Sequence, residues 1–285
     1  MRARRLLVFA TALVGLMSAM LVTQCSSTTE PPVARVQKPD TQPTQPTPTP
    51  AKPQLLGDLN VRSIDYQGTK YLYQVFLPKT YTPTKRFPVI MSFHGSGARG
   101  TNNTAQLGEG LGPLVREEAA TFPAIVILPQ VPTATRESQF VPVGLAILDQ
   151  EMKELNGDPT RVYLTGWSYG GYLAYDMAYA APARFAGLVP LGALFDFLVV
   201  PNSASVPRAT AWASFAQQVK TVPIWIFQGA LDPYTPVADA RLVVDALKLA
   251  GADYRYTEYP TLQHDVQNAT YHTPALFTWL YAQHR

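Results

Sequence analysis

The sequence predicts an α/β fold built on a mostly parallel sheet with helices on both faces. From Phe87 onward, strand-like apolar runs alternate with helix-like runs, which is typical of a parallel sheet with crossover helices. Before that point, residues 61–66 and 71–77 alternate apolar and polar side chains on either side of Gly68. This second pattern predicts an antiparallel hairpin at the amino-terminal edge of the sheet.

Three segments of different composition divide the chain. Residues 1–25 combine a basic start with an apolar run over 6–22 that is too short to be a spanning helix, and they are predicted to be an export signal. Residues 26–57 are rich in Pro and Thr and are predicted to be a disordered linker, because such a stretch cannot build a core. Residues 58–285 are long enough for one α/β domain.

Cys25 is the only cysteine of the chain, so an intrachain disulfide is excluded. Its place at the end of an apolar export segment, before Ser26 and Ser27, resembles a bacterial lipoprotein acylation site, although Gln24 replaces the usual small residue before the cysteine. That resemblance implies a membrane tether through a lipidated Cys25 and a place in the cell envelope. The alternative is an ordinary cleaved signal and a secreted or periplasmic protein.

Charge and motifs exclude several classes of function. The chain carries a net charge of +3, and Arg2, Arg4 and Arg5 are the only charged residues before Cys25, so the chain from Cys25 onward is neutral. A neutral domain lacks the net positive charge that favours binding to nucleic acid, so no nucleic-acid partner is expected. The sequence has no His/Cys/Glu metal cluster, P-loop or dinucleotide fingerprint, so we expect neither a metal nor another cofactor.

The stretch Gly166-Trp167-Ser168-Tyr169-Gly170 lies between a strand-like run over 161–165 and a helix-like run over 172–178. A Gly-x-Ser-x-Gly sequence in this setting is typical of the tight turn that presents a nucleophilic serine above a parallel sheet. Glycines flank the serine because side chains there would collide with the neighbouring strand and helix. Ser168 is therefore the predicted nucleophile.

A nucleophilic serine needs an acid that orients its base. Asp232 follows the buried strand-like run over 221–228 and lies in a turn at the carboxyl end of that strand. Binding and catalytic sites of open α/β sheets are found at this end of the strands. Asp196, after the strand-like run over 189–191, is the competing acid. Asp232 is favoured because it follows a longer strand and precedes a clear helix start.

The chain has four histidines to supply the base. His264 lies in a loop after the strand-like run over 253–259, and this position after the last strand favours it as the base. His94, at the end of an early strand, is expected to hold its loop rather than to act as a base. His272 is expected at the surface, and His284 lies at the carboxyl terminus.

An oxyanion hole is expected at the loop that follows the apolar strand over 87–93. Gly95 and Ser96 form the predicted donor segment, and the backbone N–H of Tyr169, directly after the nucleophile, supplies the second donor. Trp167 and Tyr234 adjoin the predicted nucleophile and acid, so they are candidates to border the substrate pocket.

Taken together, the motifs resemble those of the α/β-hydrolase superfamily, and more closely the secreted serine esterases of the phospholipase/carboxylesterase and dienelactone-hydrolase-like branch. This branch includes a group labelled "predicted peptidase", and the chain is also similar to esterase-type depolymerases. The matching stretches are HGSGARGTNN (94–103), ILPQ (127–130), VYLTGWSYGGY (162–172), QGALDPYTPV (228–237), YTEYP (256–260) and HD (264–265).

The resemblance implies a Ser168–Asp232–His264 triad. Trp167 and Tyr169 stand where the group often has Leu and Met, and residues 131–137 replace a segment that is often aromatic. The expected function is a serine hydrolase that cleaves carboxylic esters through an acyl-enzyme, on small esters or polymer-linked ester groups. The alternatives are a serine peptidase and a non-catalytic binding protein of the same fold.

Overall fold

The computed structural model describes residues 54–194 and 208–285, with side chains of the second range described from residue 210. Its eight-stranded sheet has the order β1-β2-β4-β3-β5-β6-β7-β8. The strands are β1 (Asp58–Tyr66), β2 (Thr69–Leu77), β3 (Phe87–Phe93), β4 (Ile125–Pro129), β5 (Gly157–Trp167), β6 (Gly187–Leu191), β7 (Ile224–Gly229) and β8 (Tyr254–Tyr259).

The predicted hairpin and the predicted parallel sheet are both confirmed. β1 pairs with β2 in an antiparallel register that joins Asp58 to Leu77 and Tyr66 to Thr69. β2 in turn is antiparallel to β4, and all pairs from β4 through β3 to β8 are parallel. The turn at Gln67 and Gly68, where both residues have positive φ, closes the hairpin in two residues.

Among the described residues, five helices connect the parallel strands, and two more follow β8. They are α1 (Gly112–Glu117), α2 (Glu137–Glu154), α3 (Tyr169–Ala180), α4 (Arg208–Val219), α5 (Val237–Leu249), α6 (Gln267–Tyr271) and α7 (Pro274–Ala282). Within the described ranges, none of these helices is long and apolar enough to cross a membrane.

The core lies on both faces of the sheet because strand side chains alternate between them. On one face, Val89 and Met91 of β3 pack into a cluster with residues of α2 to α5. On the other face, Ile90 packs with residues of α1 and α7. Strands that are buried on both faces read as continuous apolar runs, as β3 and β4 do, and this explains why the sequence pattern located β3.

The same topology places the site. β3, β5, β7 and β8 are parallel, so the loops that follow them leave the same edge of the sheet. These loops begin at His94, Ser168, Ala230 and Pro260, and the predicted site residues therefore belong to one edge.

Candidate active site

Ser168 occupies a strained turn between β5 and α3. Its backbone has φ 53° and ψ −122°, a region that residues other than glycine rarely adopt. The turn is tight on both sides: a Cβ at Gly166 would collide with the Gly170 carbonyl, and a Cβ at Gly170 would collide with the Phe93 carbonyl. The two glycines are thus required by close backbone approach, which exposes Ser168 at the end of β5.

The side chains of Ser168, His264 and Asp232 form one hydrogen-bonded chain. Ser168 Oγ lies 2.8 Å from His264 Nε2, and His264 Nδ1 lies 2.7 Å from Asp232 Oδ2. A carboxylate can only accept, so Nδ1 carries the proton and donates it to Asp232. Nε2 is then free to accept from the Ser168 hydroxyl. The three residues predicted as a triad are thus brought together with the geometry of a nucleophile, a base and an orienting acid.

Asp232 is buried in the turn after β7 and is held by several donors. Its Oδ1 accepts from the backbone N–H groups of Tyr234 at 2.8 Å and Thr235 at 2.9 Å. Burial by itself would raise the pKa of Asp232, but hydrogen bonds from the Thr235 hydroxyl and His264, and then from these two amides, outweigh it. The net result is a lowered pKa, so the carboxyl remains ionised beside the imidazole.

Two residues that support the acid were not singled out from the sequence. Gln228 Nε2 donates to Asp232 Oδ2 at 3.0 Å and to the Thr235 carbonyl at 2.8 Å, and the Thr235 hydroxyl also donates to Oδ2. Both side chains are buried. The one signal for Gln228 is a polar residue at the end of an apolar strand run, which requires a buried partner.

Two aromatic rings flank His264. The Trp167 ring centroid is 5.2 Å from the imidazole, and Trp167 Nε1 donates to the His264 carbonyl at 2.9 Å. The Tyr234 ring lies 5.1 Å from the imidazole in an edge-to-face arrangement, and its side chain is largely exposed. Both candidate pocket residues therefore contact the histidine side of the site.

The loop after β3 is braced by His94, which is almost fully buried. His94 Nδ1 lies 2.6 Å from the Gly95 carbonyl, and the Val131 backbone N–H donates to Nε2 at 3.0 Å. The first contact needs a proton on Nδ1 and the second needs a lone pair on Nε2, so the ring is neutral. Burial accordingly lowers the pKa of His94 to about 4. These contacts give His94 the loop-holding position that the sequence predicted.

Within this loop, Gly95 and Ser96 face different surroundings. Gly95 lies against the Trp167 ring and the Glu109 carboxylate, and a Cβ at this position would come within 2.7 Å of the ring. Ser96 instead lines a cavity of about 380 Å³ together with Ser168 and Tyr169. Of the two predicted donor residues, Ser96 is therefore the one that borders the space in front of the nucleophile.

Glu137 and Tyr172 complete the lining of that cavity. Arg99 braces the segment that leads to Glu137 by donating to the carbonyls of Thr133 at 2.5 Å and Thr135 at 2.6 Å. The Arg99 guanidinium also stacks 4.7 Å from the Tyr169 ring. Of the segment over 131–137, Glu137 lines the cavity, and the Thr135 carbonyl accepts a hydrogen bond from the hydroxyl of Tyr169, which also lines it.

Some predicted features lie outside the described residues. Cys25, the export signal, the linker up to residue 53 and the competing acid Asp196 are all among them. Among residues 54–194 and 208–285, no group of three or more His, Cys, Asp or Glu side chains is placed to hold a metal ion.

Comparison with known proteins agrees with this architecture. A model of the prolyl oligopeptidase family matches residues 145–218, which contain the Ser168 turn. A Caenorhabditis elegans protein, dipeptidyl peptidase family member 1, is 23% identical over 130 residues, which are 42% of this chain and 16% of that protein. This match therefore spans a small part of the relative's length.

Two solved structures extend the comparison. The chain is similar to a thermostable esterase, with a TM-score of 0.67 and 26% identity, over 81% of this chain and 64% of that one. It is also similar to dipeptidyl peptidase 4 of Porphyromonas gingivalis, with a TM-score of 0.61 and 15% identity, over 79% of this chain and 35% of that one. The chain thus spans slightly less than two thirds of the esterase and about a third of the peptidase.

The neutral His94 predicts a loss of stability in mild acid. Because burial lowers its pKa to about 4 from 6.5, the unfolded chain takes up a proton over this interval and the folded protein does not. The His94 contribution is fully present above pH 6.5 and is lost as the pH falls to 4, by up to about 3 kcal/mol. Thermal unfolding midpoints between pH 7.5 and 4.5 should fall more steeply for the native protein than for His94→Gln.

The variant also loses part of a buried hydrogen-bond network, so its midpoint at pH 7.5 should itself be lower, by the equivalent of roughly 1–3 kcal/mol. His284→Gln removes an exposed histidine near the carboxyl terminus and is the matched control, since it should retain the native slope. Equal slopes for native protein and His94→Gln would contradict a neutral, buried His94.

Proposed function

We propose that this chain, which belongs to the α/β-hydrolase superfamily of serine hydrolases, cleaves carboxylic esters through a Ser168–His264–Asp232 triad. The observation that carries the proposal is the continuous chain of contacts from Ser168 Oγ to His264 Nε2 at 2.8 Å and from His264 Nδ1 to Asp232 Oδ2 at 2.7 Å. Both distances are those of good hydrogen bonds, so the serine can be deprotonated as it attacks.

In the first half of the reaction, His264 Nε2 takes the Ser168 proton while Oγ forms a bond to the acyl carbon. The imidazolium that results is stabilised by the ionised Asp232. As the tetrahedral intermediate collapses, His264 gives the proton to the leaving alcohol oxygen and the ester C–O bond breaks. A water molecule then attacks the acyl-enzyme by the same route, releasing the carboxylic acid and restoring Ser168.

The oxyanion would be held by two backbone N–H groups. Tyr169 follows the nucleophile at the start of α3, where helix amides are unpaired and the helix dipole favours negative charge. Ser96 is the preferred second donor because it borders the same cavity as Ser168. Gly95 contributes chiefly by allowing close packing against Trp167, since a side chain there would displace the ring.

The acyl group would occupy the cavity next to Ser168. His264 must reach the leaving oxygen, so the leaving group lies on the His264 side and the acyl group on the other. The 380 Å³ cavity beside Ser168 is lined by Ser96, Tyr169 and Tyr172 and not by His264, so we assign the acyl group to it. It is open to solvent and of moderate size, which suits short acyl groups.

An amide is the second candidate substrate, because the matching family model is that of the prolyl oligopeptidases and covers the Ser168 turn. Cleavage of esters is favoured because this chain is 26% identical to a thermostable esterase across most of its length. A series of p-nitrophenyl esters of increasing acyl length, assayed beside an acetylated polysaccharide and a peptide amide, separates the two. Faster hydrolysis of the amide than of every ester would replace the esterase assignment.

Ser168→Ala tests the nucleophile. The Ser168 hydroxyl contacts His264 and supports no core packing, so the variant should fold while ester turnover falls by at least about a thousandfold. A fluorophosphonate probe should label the native protein and not the variant. Ser63→Ala, on the edge strand β1, should behave as native in both measurements. Near-native turnover by Ser168→Ala would exclude the proposed mechanism.

Asp232→Asn tests the acid against its competitor. An amide at position 232 can donate to His264 and favours the wrong tautomer, so kcat should fall by about a thousandfold or more. Asp196→Asn makes the same chemical change at the alternative acid and should have a much smaller effect. A larger loss for Asp196→Asn would transfer the role of orienting acid to that residue.

We also propose that the protein is exported and tethered to a membrane through an acylated Cys25, with residues 26–57 as a spacer. Acyl chains add roughly 0.8 kcal/mol of membrane affinity per buried CH₂. The mature protein should begin at a lipid-modified Cys25 and fractionate with membranes, while Cys25→Ser should be released or remain unprocessed. Mass spectrometry of the mature amino terminus is the measurement, and a free amino terminus beyond Cys25 would indicate a soluble exported protein instead.

A further inference from the structure

The surface beside His264 carries more apolar side chains than ester hydrolysis by the triad requires. His264 Nε2 must donate its proton to the leaving oxygen, so the group attached to that oxygen lies against the residues around the imidazole. This placement rests on the proposed function. The residues concerned contact the imidazole or adjoin Asp232 in the chain, and they do not line the cavity assigned to the acyl group.

Two aromatic rings contact the imidazole, and an exposed leucine precedes its acid in the chain. Trp167 is half-buried with its ring 5.2 Å from His264, and Tyr234 is 76% exposed with its ring 5.1 Å from His264. Leu231 is 58% exposed and, with Tyr234, brackets the buried Asp232 in sequence. We call Trp167, Leu231 and Tyr234 the apolar platform.

A role in supporting the triad does not explain why the side chains of Leu231 and Tyr234 are exposed. The Tyr234 contact to Asp232 Oδ1 is made by the backbone N–H, which any residue would supply. Among the described residues, the Tyr234 hydroxyl has no hydrogen-bond partner, and Leu231 contributes its backbone N–H to the Leu262 carbonyl. Large apolar side chains held in water beside a reacting group point to a bound apolar ligand.

The charged residues near the site limit the chemical class of leaving group that can bind beside His264. The Glu109 carboxylate lies against Gly95 and Gly97, and Asp265 follows His264 directly in an exposed position. Burial raises the pKa of Glu109 against a hydrogen bond with the Gly95 backbone that lowers it, and the negative charge of Asp265 raises it further. The exposed Asp265 carboxylate, next to His264 in the chain, would repel an anionic leaving group and would not repel a neutral ring.

We propose that the apolar platform binds the leaving group of the substrate and selects esters whose alcohol carries a neutral aromatic ring. Trp167 and Tyr234 offer ring faces and edges, and Leu231 offers an aliphatic contact beside them. The contribution of an aromatic pair beyond area burial corresponds to roughly twofold to tenfold or slightly more in an equilibrium constant.

The test varies the alcohol and holds the acyl group constant. Butyrate esters of ethanol, 2-cyclohexylethanol and 2-phenylethanol share the acyl group and have alkoxide leaving groups of similar basicity, so differences in kcat/KM report binding of the ring. We expect the order phenylethyl, cyclohexylethyl, ethyl, with phenylethyl about fivefold to tenfold above ethyl. Equal values for phenylethyl and ethyl, or a cyclohexylethyl value at or above the phenylethyl value, would overturn the proposal.

Variants test which side chains produce the preference for the aromatic alcohol. Tyr234→Ala and Leu231→Ala should each reduce the phenylethyl-to-ethyl ratio of kcat/KM by about threefold, whereas Tyr234→Phe retains the ring and should keep the native ratio. Leu249→Ala removes another exposed leucine, 88% exposed on α5, and should leave the ratio and both rates unchanged. Thermal unfolding midpoints check that each variant is folded.

The outcomes separate this inference from the proposed function. A native ratio in both Tyr234→Ala and Leu231→Ala, with turnover intact, overturns the platform and leaves the esterase assignment standing. Absence of turnover for every ester by the native protein instead overturns the esterase assignment.

Discussion

The Ser168 backbone, at φ 53° and ψ −122°, lies in a region that costs a residue other than glycine roughly 1–3 kcal/mol. Buried structure on both sides supports this conformation. β5 is paired to β3 and β6, and α3 packs its buried face on the sheet. Gly166 and Gly170 allow backbone contacts that any side chain would prevent. The position of every other site residue is defined relative to this turn, because each must reach Ser168 Oγ or the space before it.

The acid and the base reach the turn from separate loops that are tied together. The Ala230 N–H donates to the Tyr259 carbonyl at 2.9 Å, and the Leu231 N–H donates to the Leu262 carbonyl at 3.0 Å. These backbone bonds extend the β7–β8 pairing into the two loops, so the distance between Asp232 and His264 is set by the main chain as well as by the side chains. The Trp167 indole N–H then joins the His264 loop to the serine turn.

The two sides of Ser168 differ in a way that bears on substrate choice. One side is a cavity lined by Ser96, Glu137, Tyr169 and Tyr172. On the other, Tyr234 is exposed with its ring against the imidazole, and Leu231 is exposed next to Asp232 in the chain. A cavity limits the size of its ligand, whereas an exposed surface accepts groups of any length provided they make apolar contact. Under the proposed function, this arrangement favours an ester with a short acyl group and a larger alcohol.

The sequence by itself determined the alternation of strands and helices, the edge hairpin and the candidate residues Ser168, Asp232 and His264. It could do so because turn chemistry and apolar periodicity are local properties of the chain. The predictions for residues 1–53 stay predictions. Only the tertiary structure decided that Asp232 contacts His264, that Ser96 rather than Gly95 borders the cavity, and that Gln228 and Thr235 hold the acid. The physical reason is that these contacts depend on which strands are neighbours and on how their loops pack, and such long-range pairings leave no periodic trace in the sequence.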